Sequence, residues 1–199
     1  SLTGLSADDN YVLDMDGKVA DITGSPFTNP DLLNPGTHSM VIYNRAEGFT
    51  FDGRMARVNA PDGKSRADGA SVIPLPDYLK TVSQEITVTA DDTLRVNPVP
   101  QQRVRDLQLE LEVTQGRPEL IQSVTATLSG IAGIFDMEKG QTIGEPTSTV
   151  FSFTRDGSKL TADARLLGTM GDVQALVLDI VFTDGGRTQR TEVDLTEAL

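Results

Sequence analysis

Carboxylates at close spacing are the first residues whose chemistry has to be weighed. Asp14-Met15-Asp16-Gly17, with Asp21 beyond it and Asp8-Asp9 before it, gathers oxygen ligands of the kind that calcium, a hard cation, takes in numbers. The match to an EF-hand loop is poor, because Gly17 follows the second Asp directly and no Glu closes the loop. An Asp-Gly pair at a hairpin tip accounts for the same residues, since tight hairpins need positive φ there. No metal is assigned.

His38 stands beside Ser39, a base next to a nucleophile. However, no G-x-S-x-G elbow is present, and period-two alternation puts the two side chains on opposite faces of a strand. His38 is read as an ordinary packed or surface histidine. The chain's 29 Asp and Glu residues make acid and base pairs for a glycosidase easy to find, but carbohydrate clefts use aromatic platforms and this chain has no Trp and only 3 Tyr. Gly130, Gly133, Gly140 and Gly144 lack the strand-to-helix context of a phosphate loop and read as turn or bulge glycines. The expectation is a protein that is not an enzyme, with no catalytic residue and no cofactor.

Composition points the same way. A net charge of -12 argues against nucleic acid as a partner, because neutralising phosphates takes a basic face. With no Cys there is no disulfide, thiolate nucleophile or zinc-thiolate cluster, and a single His excludes a multi-histidine metal site. Ser1 to Asn10 carry neither a basic region nor an apolar run, and no stretch approaches the roughly 20 apolar residues of a membrane-spanning helix.

The elements that position these residues are strands. In Val104 to Val113, Leu107, Leu109, Leu111 and Val113 alternate with Gln108, Glu110 and Glu112, the signature of a half-buried strand. Ser123 to Ser129, Thr147 to Thr154, Leu160 to Leu166, Leu176 to Phe182 and Arg187 to Leu195 repeat the device, separated by turn pairs such as Asp156-Gly157 and Asp184-Gly185-Gly186. Such a run of short strands and hairpin turns predicts a β-sandwich. The first half is less regular, with strands expected at Tyr11 to Leu13, Thr37 to Tyr43, Phe49 to Val58 and Glu85 to Ala90. Asn59 to Ser71 reads as a surface loop, and Asp77 to Ser83 as one or two helical turns after Pro76. Asn97-Pro98-Val99-Pro100 interrupts strand pairing, which places a domain boundary there: residues 1–98 and 99–199.

Three stretches carry a resemblance. They are Asn34-Pro35-Gly36-Thr37-His38 leading into Val41-Ile42-Tyr43-Asn44, the run Val124 to Ala132, and Leu166-Leu167-Gly168 followed by the long apolar strand, Asp184-Gly185-Gly186 and the closing Asp194-Leu195-Thr196. In order and spacing the chain resembles the fimbrillin-like accessory and anchor subunits of type V fimbriae, surface proteins of Gram-negative gut and oral anaerobes.

The resemblance implies an all-β fold of two tandem transthyretin-like Greek-key β-sandwich domains. It also implies a structural, adhesive role at the cell surface and outer membrane, assembly with other fimbrial subunits by strand complementation, and a host protein or glycan as target. The lipid anchor of such a subunit would need a Cys upstream of Ser1. Tyr11, Val12 and Leu13 are the expected displaceable plug, so that truncating residues 1–13 would open an apolar groove; Val193 and Leu195 are expected to meet a partner strand. Glu197-Ala198-Leu199 is short for a donated tail, which favours an acceptor. The second reading is a carbohydrate- or protein-binding β-sandwich module.

Overall fold

The alternating segments become strands in the computed structural model, which describes residues 1–6, 9–62, 71–90 and 93–199. Asp8 and residues 63–70 of the expected surface loop lie outside the described residues. Sixteen strands are present among those described, and no α-helix. The first seven are β1 (Tyr11–Met15), β2 (Lys18–Asp21), β3 (Gly36–Asn44), β4 (Phe49–Asp52), β5 (Met55–Val58), β6 (Ser71–Val72) and β7 (Lys80–Val88). The others are β8 (Gln101–Gln102), β9 (Arg105–Glu112), β10 (Ile121–Ile131), β11 (Ile134–Asp136), β12 (Gln141–Ile143), β13 (Thr147–Asp156), β14 (Lys159–Leu166), β15 (Ala175–Phe182) and β16 (Thr188–Asp194).

They form three sheets, of orders β2-β1-β3-β7-β8, β16-β15-β10-β13-β14-β9 with β6 added on β13, and β12-β11-β5-β4. The expected all-β class is observed. The chain divides into two compact units, one of Ser1–Arg57, Asp77–Arg103 and Phe135–Gln141, the other of Val58–Pro76, Val104–Ile134 and Thr142–Leu199.

In the first unit the central strands are buried on both faces. Tyr11, Leu13 and Met15 of β1, Met40 and Ile42 of β3 and Ile86 of β7 form one apolar cluster together with Leu2 and Leu5. The alternate residues Val12, Val41 and Tyr43 are also buried, and the Tyr43 ring stacks on Phe51 at 4.9 Å between centroids. Two-sided burial explains why Met40-Val41-Ile42-Tyr43 reads as a nearly continuous apolar run.

Two local expectations fail here. The helical turns expected at Asp77 to Ser83 are instead the lead-in and first half of β7, because Thr81 and Val82 pair with Tyr43 and Ile42 of β3 and that ladder outweighs local propensity. The single strand expected over Phe49 to Val58 is a hairpin, β4 and β5, turning at Gly53 with φ 55°.

In the second unit the alternation is followed closely. Val124, Ala126 and Leu128 of β10, Phe151 and Phe153 of β13, Leu160, Ala162 and Ala164 of β14, and Leu176 and Leu178 of β15 are buried while their neighbours face out. β13 pairs with β10 along Thr147 to Phe153 and then with β14 along Thr154 to Asp156, so one strand joins the β16-β15-β10 part of the sheet to its β14-β9 part. Near the end of β10 the register against β13 shifts between Ser129 and Ile131, a bulge at Gly130. Gly130 has φ 73°, and a Cβ there would lie 2.1 Å from the Val173 carbonyl oxygen, so only glycine fits.

Candidate functional site

The first unit contains a bridged, extended segment that the period-two pattern did not reveal. Ser1 to Thr3 run extended between two other segments: the Leu2 N–H donates to the Phe27 carbonyl at 2.7 Å, and the Phe27 N–H returns the bond at 2.9 Å. On the other side the Thr3 N–H donates to Val96 O at 3.0 Å, and the Val96 N–H to Ser1 O at 2.8 Å. Leu2 therefore pairs antiparallel with Phe27 and parallel with Val96.

The chain then turns at Gly4, whose φ of 79° favours glycine and whose missing Cβ would meet Asn97 Oδ1. That turn lets Leu5 follow Leu2 into the core, where they keep 7% and 5% exposure. Ser1 to Leu5 are thus held by backbone bonds on both edges, by the Ser1 amino group on Leu94 O at 2.6 Å, by the Gly4 N–H on Ser25 Oγ at 3.3 Å and by two leucine knobs.

Beside this segment lies a cavity of about 210 Å³ whose walls include Leu13, Met15, Met40, Ile86 and Val88. Thr28 to Leu33 of the loop before β3 form its outer rim, and Leu32 there is fully exposed. This strap is fastened at its end by His38. Nδ1 of His38 lies 2.6 Å from Asp16 Oδ2, and Nε2 lies 2.8 Å from the Asn34 carbonyl oxygen. Asp16 also accepts the Ser39 N–H at 2.8 Å through Oδ1. The hydrogen bond to Asp16, then that to Asn34, holds the His38 imidazolium above the usual histidine range. The His38 and Ser39 bonds hold the Asp16 carboxyl below its ordinary value.

Asp16 and Gly17 form the hairpin tip expected from their sequence, with φ 52° and 84° between Met15 and Lys18. Asp14 turns its carboxylate to the Gly17 N–H and to Arg54. Among the described residues no group of three His, Asp or Glu side chains is placed to hold a metal ion.

Of the residues singled out in the sequence, Tyr11, Val12 and Leu13 lie within β1, hydrogen-bonded to β2 on one side and β3 on the other. Val12 is fully buried and Leu13 keeps 1% exposure. The Tyr11 hydroxyl donates to Asp9 Oδ2, and burial, then the Asp9 charge, pushes its pKa up to about 12. Val193 lies opposite Leu176 on β16, the last strand of its sheet, and the Leu195 N–H donates to Gln174 O at 2.8 Å. The two groups belong to different units. The closing Asp194-Leu195-Thr196 is a small turn in which the Thr196 N–H donates to Asp194 Oδ1 while the Thr196 hydroxyl accepts the Gln174 N–H. Leu2 and Leu5 were missed; two apolar residues in a polar stretch are their only sequence signal.

No protein-family model matches the sequence, and no curated protein matches it significantly. Solved structures do share its fold. A candidate adhesin from Bacteroides ovatus aligns with a TM-score of 0.76 at 17% identity over 95% of this chain and 77% of that one. The fimbrial anchor protein Mfa2 from Porphyromonas gingivalis aligns with a TM-score of 0.60 at 11% identity over 97% of this chain and 76% of its own. The chain has the fold of these proteins. A candidate adhesin from Bacteroides thetaiotaomicron gives 0.59 at 12% identity over 96% and 74%. At the level of the fold, the fimbrillin-like resemblance is borne out. Among the described residues no helix is long and apolar enough to cross a membrane.

Proposed function

We propose that this protein is a non-enzymatic accessory or anchor subunit of a fimbria-type adhesive assembly on the cell surface, and that it joins its partners by accepting a β-strand. The observation that carries the reading is the seat of Ser1 to Leu5. A short extended segment, bonded along both edges and pinned by Leu2 and Leu5, occupies a groove whose walls bond equally well to any backbone with the same spacing. A partner strand that extended the pairing with the segments of Phe27 and Val96 would gain further backbone bonds and buried apolar area. The fold shared with a fimbrial anchor protein and with candidate adhesins supports the same assignment. A place at the outer membrane, through a lipid on a Cys upstream of Ser1, belongs to this reading and is checked by mass spectrometry of the protein isolated from its cells.

The test is to remove Ser1–Leu5, place a photo-crosslinking residue at Val88 on the cavity wall, and add fimbrial subunits purified from the same cells. The trimmed protein is expected to crosslink to a terminal segment of a subunit, in a complex that survives unheated SDS. The intact chain is expected to crosslink far less. Equal crosslinking by both forms, or none by either while the trimmed form stays folded by circular dichroism, would overturn the proposal.

A further inference from the structure

The strap over the cavity ends in a contact that depends on a proton. A neutral imidazole offers one N–H and one lone pair, whereas both ring nitrogens of His38 face acceptors, the Asp16 carboxylate at 2.6 Å and the Asn34 carbonyl at 2.8 Å. Only the imidazolium satisfies both. We propose that His38 is a proton-dependent latch that fastens the strap of residues 28–35 over the apolar cavity, closed when both ring nitrogens carry hydrogen and released at Asn34 when one hydrogen is lost. Asp16 accepts the stronger, charge-assisted bond, so Nδ1 keeps its hydrogen and the Nε2 lone pair is left opposed to the Asn34 oxygen.

The surroundings fit this role. Apart from Asp16, the charged groups packed near the ring are Lys18 on the hairpin and Asp31 on the strap, which pair with each other at 3.5 Å. Ile86 of β7 sits opposite His38, with Glu85 beside it in the ladder opposite Ser39, and Arg54 acts on Asp16 from the far side. The His38 side chain retains 13% exposure, enough for solvent to exchange the proton. The other ties of the strap are weaker: the Lys18–Asp31 pair to the hairpin is solvent-exposed, Leu33 packs partly against the core, and Asn29 donates to the Asp31 carbonyl within the strap itself. Releasing Asn34 therefore loosens the wall beside Leu2, which makes the groove easier to enter as pH rises. This last consequence rests on the strand-accepting function proposed above, while the latch itself does not.

The test uses the intact protein and its single histidine, whose ring signals need no assignment. Ring nitrogen and carbon NMR shifts are followed from pH 5 to pH 9, together with the Asn34 carbonyl carbon shift and backbone nitrogen relaxation. The expected result is a titration midpoint above that of a free histidine, with the Asn34 carbonyl shift changing and fast backbone motion rising at Asp31 to Asn34 across that midpoint. Met40 to Tyr43 should stay rigid. His38→Gln should remove the pH dependence, and Asp16→Asn should bring the midpoint down, which serves if the first variant does not fold. A midpoint at or below the free value, an Asn34 carbonyl and strap mobility that ignore the titration, or a pH dependence kept in His38→Gln would overturn the latch. None of these readouts involves a partner strand, so failure of the latch and failure of the proposed function are seen separately.

Discussion

Arg54 places two of its N–H groups on a single oxygen of Asp14, Nη2 at 2.8 Å and Nε at 3.1 Å from Oδ1. Asp14 is 2% exposed on β1, and the same guanidinium reaches Glu138 Oε1 at 2.7 Å through Nη1. Burial works against the Arg54 charge, but the bonds to Asp14 win and hold its pKa above the usual value. The two carboxylates therefore have unequal importance. Arg54→Met leaves a buried carboxylate uncompensated and is expected to cost about 3 to 5 kcal/mol. Glu138→Gln, at a side chain that is half exposed, is expected to cost about 1 kcal/mol or less. Urea unfolding of the two variants checks the ranking, and equal losses would contradict it.

His38 and Asp16 predict a stability window. The folded pKa of His38 is raised, so its contribution is complete below the unfolded value of about 6.5 and is lost as pH rises through the folded one. The folded pKa of Asp16 is lowered, so its contribution is complete above about 3.8 and is lost as pH falls through the folded one. The stability difference between the native protein and Asp16→Asn is then largest between about pH 4 and pH 6.5. Urea midpoints at a series of pH values measure it. A difference that grows above pH 7 would reverse the sign and contradict the pairing.

Two glycines with similar backbones separate conformational strain from crowding. Gly17 and Gly130 have φ of 84° and 73°, but a Cβ on Gly17 meets nothing within 4 Å, whereas one on Gly130 meets the Val173 carbonyl. Gly17→Ala should cost about 1 kcal/mol for the left-handed conformation alone. Gly130→Ala should cost clearly more, because backbone on the far side must move as well. Thermal unfolding of both variants tests the order.

The second unit was legible because its strands are wetted on one face. Leu160, Ala162 and Ala164 alternate with Thr161 and Asp163, so burial could be read residue by residue. The first unit hid more. Val12 and Val41 are buried as fully as Leu13 and Ile42 beside them, which erases the alternation that marks a strand. The β7 strand was masked by Pro76 and Asp77, local turn formers whose preference ends where the pairing with β3 begins. Leu2 and Leu5 belong to a pairing with Phe27 and Val96, distant in sequence and without period. The role of His38 depends on Asn34 and Asp16 converging from two different turns, a contact that no spacing encodes.

Leu2 and Leu13 share one apolar cluster, with exposures of 5% and 1%, yet they are held in different ways. Leu13 sits in a strand bonded on both sides along its length, so Leu13→Ala should leave a cavity that cannot collapse and cost about 3 to 5 kcal/mol. Leu2 sits on a segment paired only through isolated bridges at that one residue, outside the long ladders, and such a segment can shift when its apolar anchor is cut. Leu2→Ala should therefore cost less, about 2 kcal/mol, near the low end for buried leucine. The loss should also be local. Amide exchange is expected to speed up at Thr3, Phe27 and Val96, whose N–H groups bond across this segment, while Ile42 in the sheet is unchanged. Leu13→Ala should instead speed exchange throughout the first sheet. If Leu2→Ala loosened Ile42 as much as Phe27, the N-terminal segment would be part of the cooperative core rather than a replaceable strand, and the groove would not be free to take another.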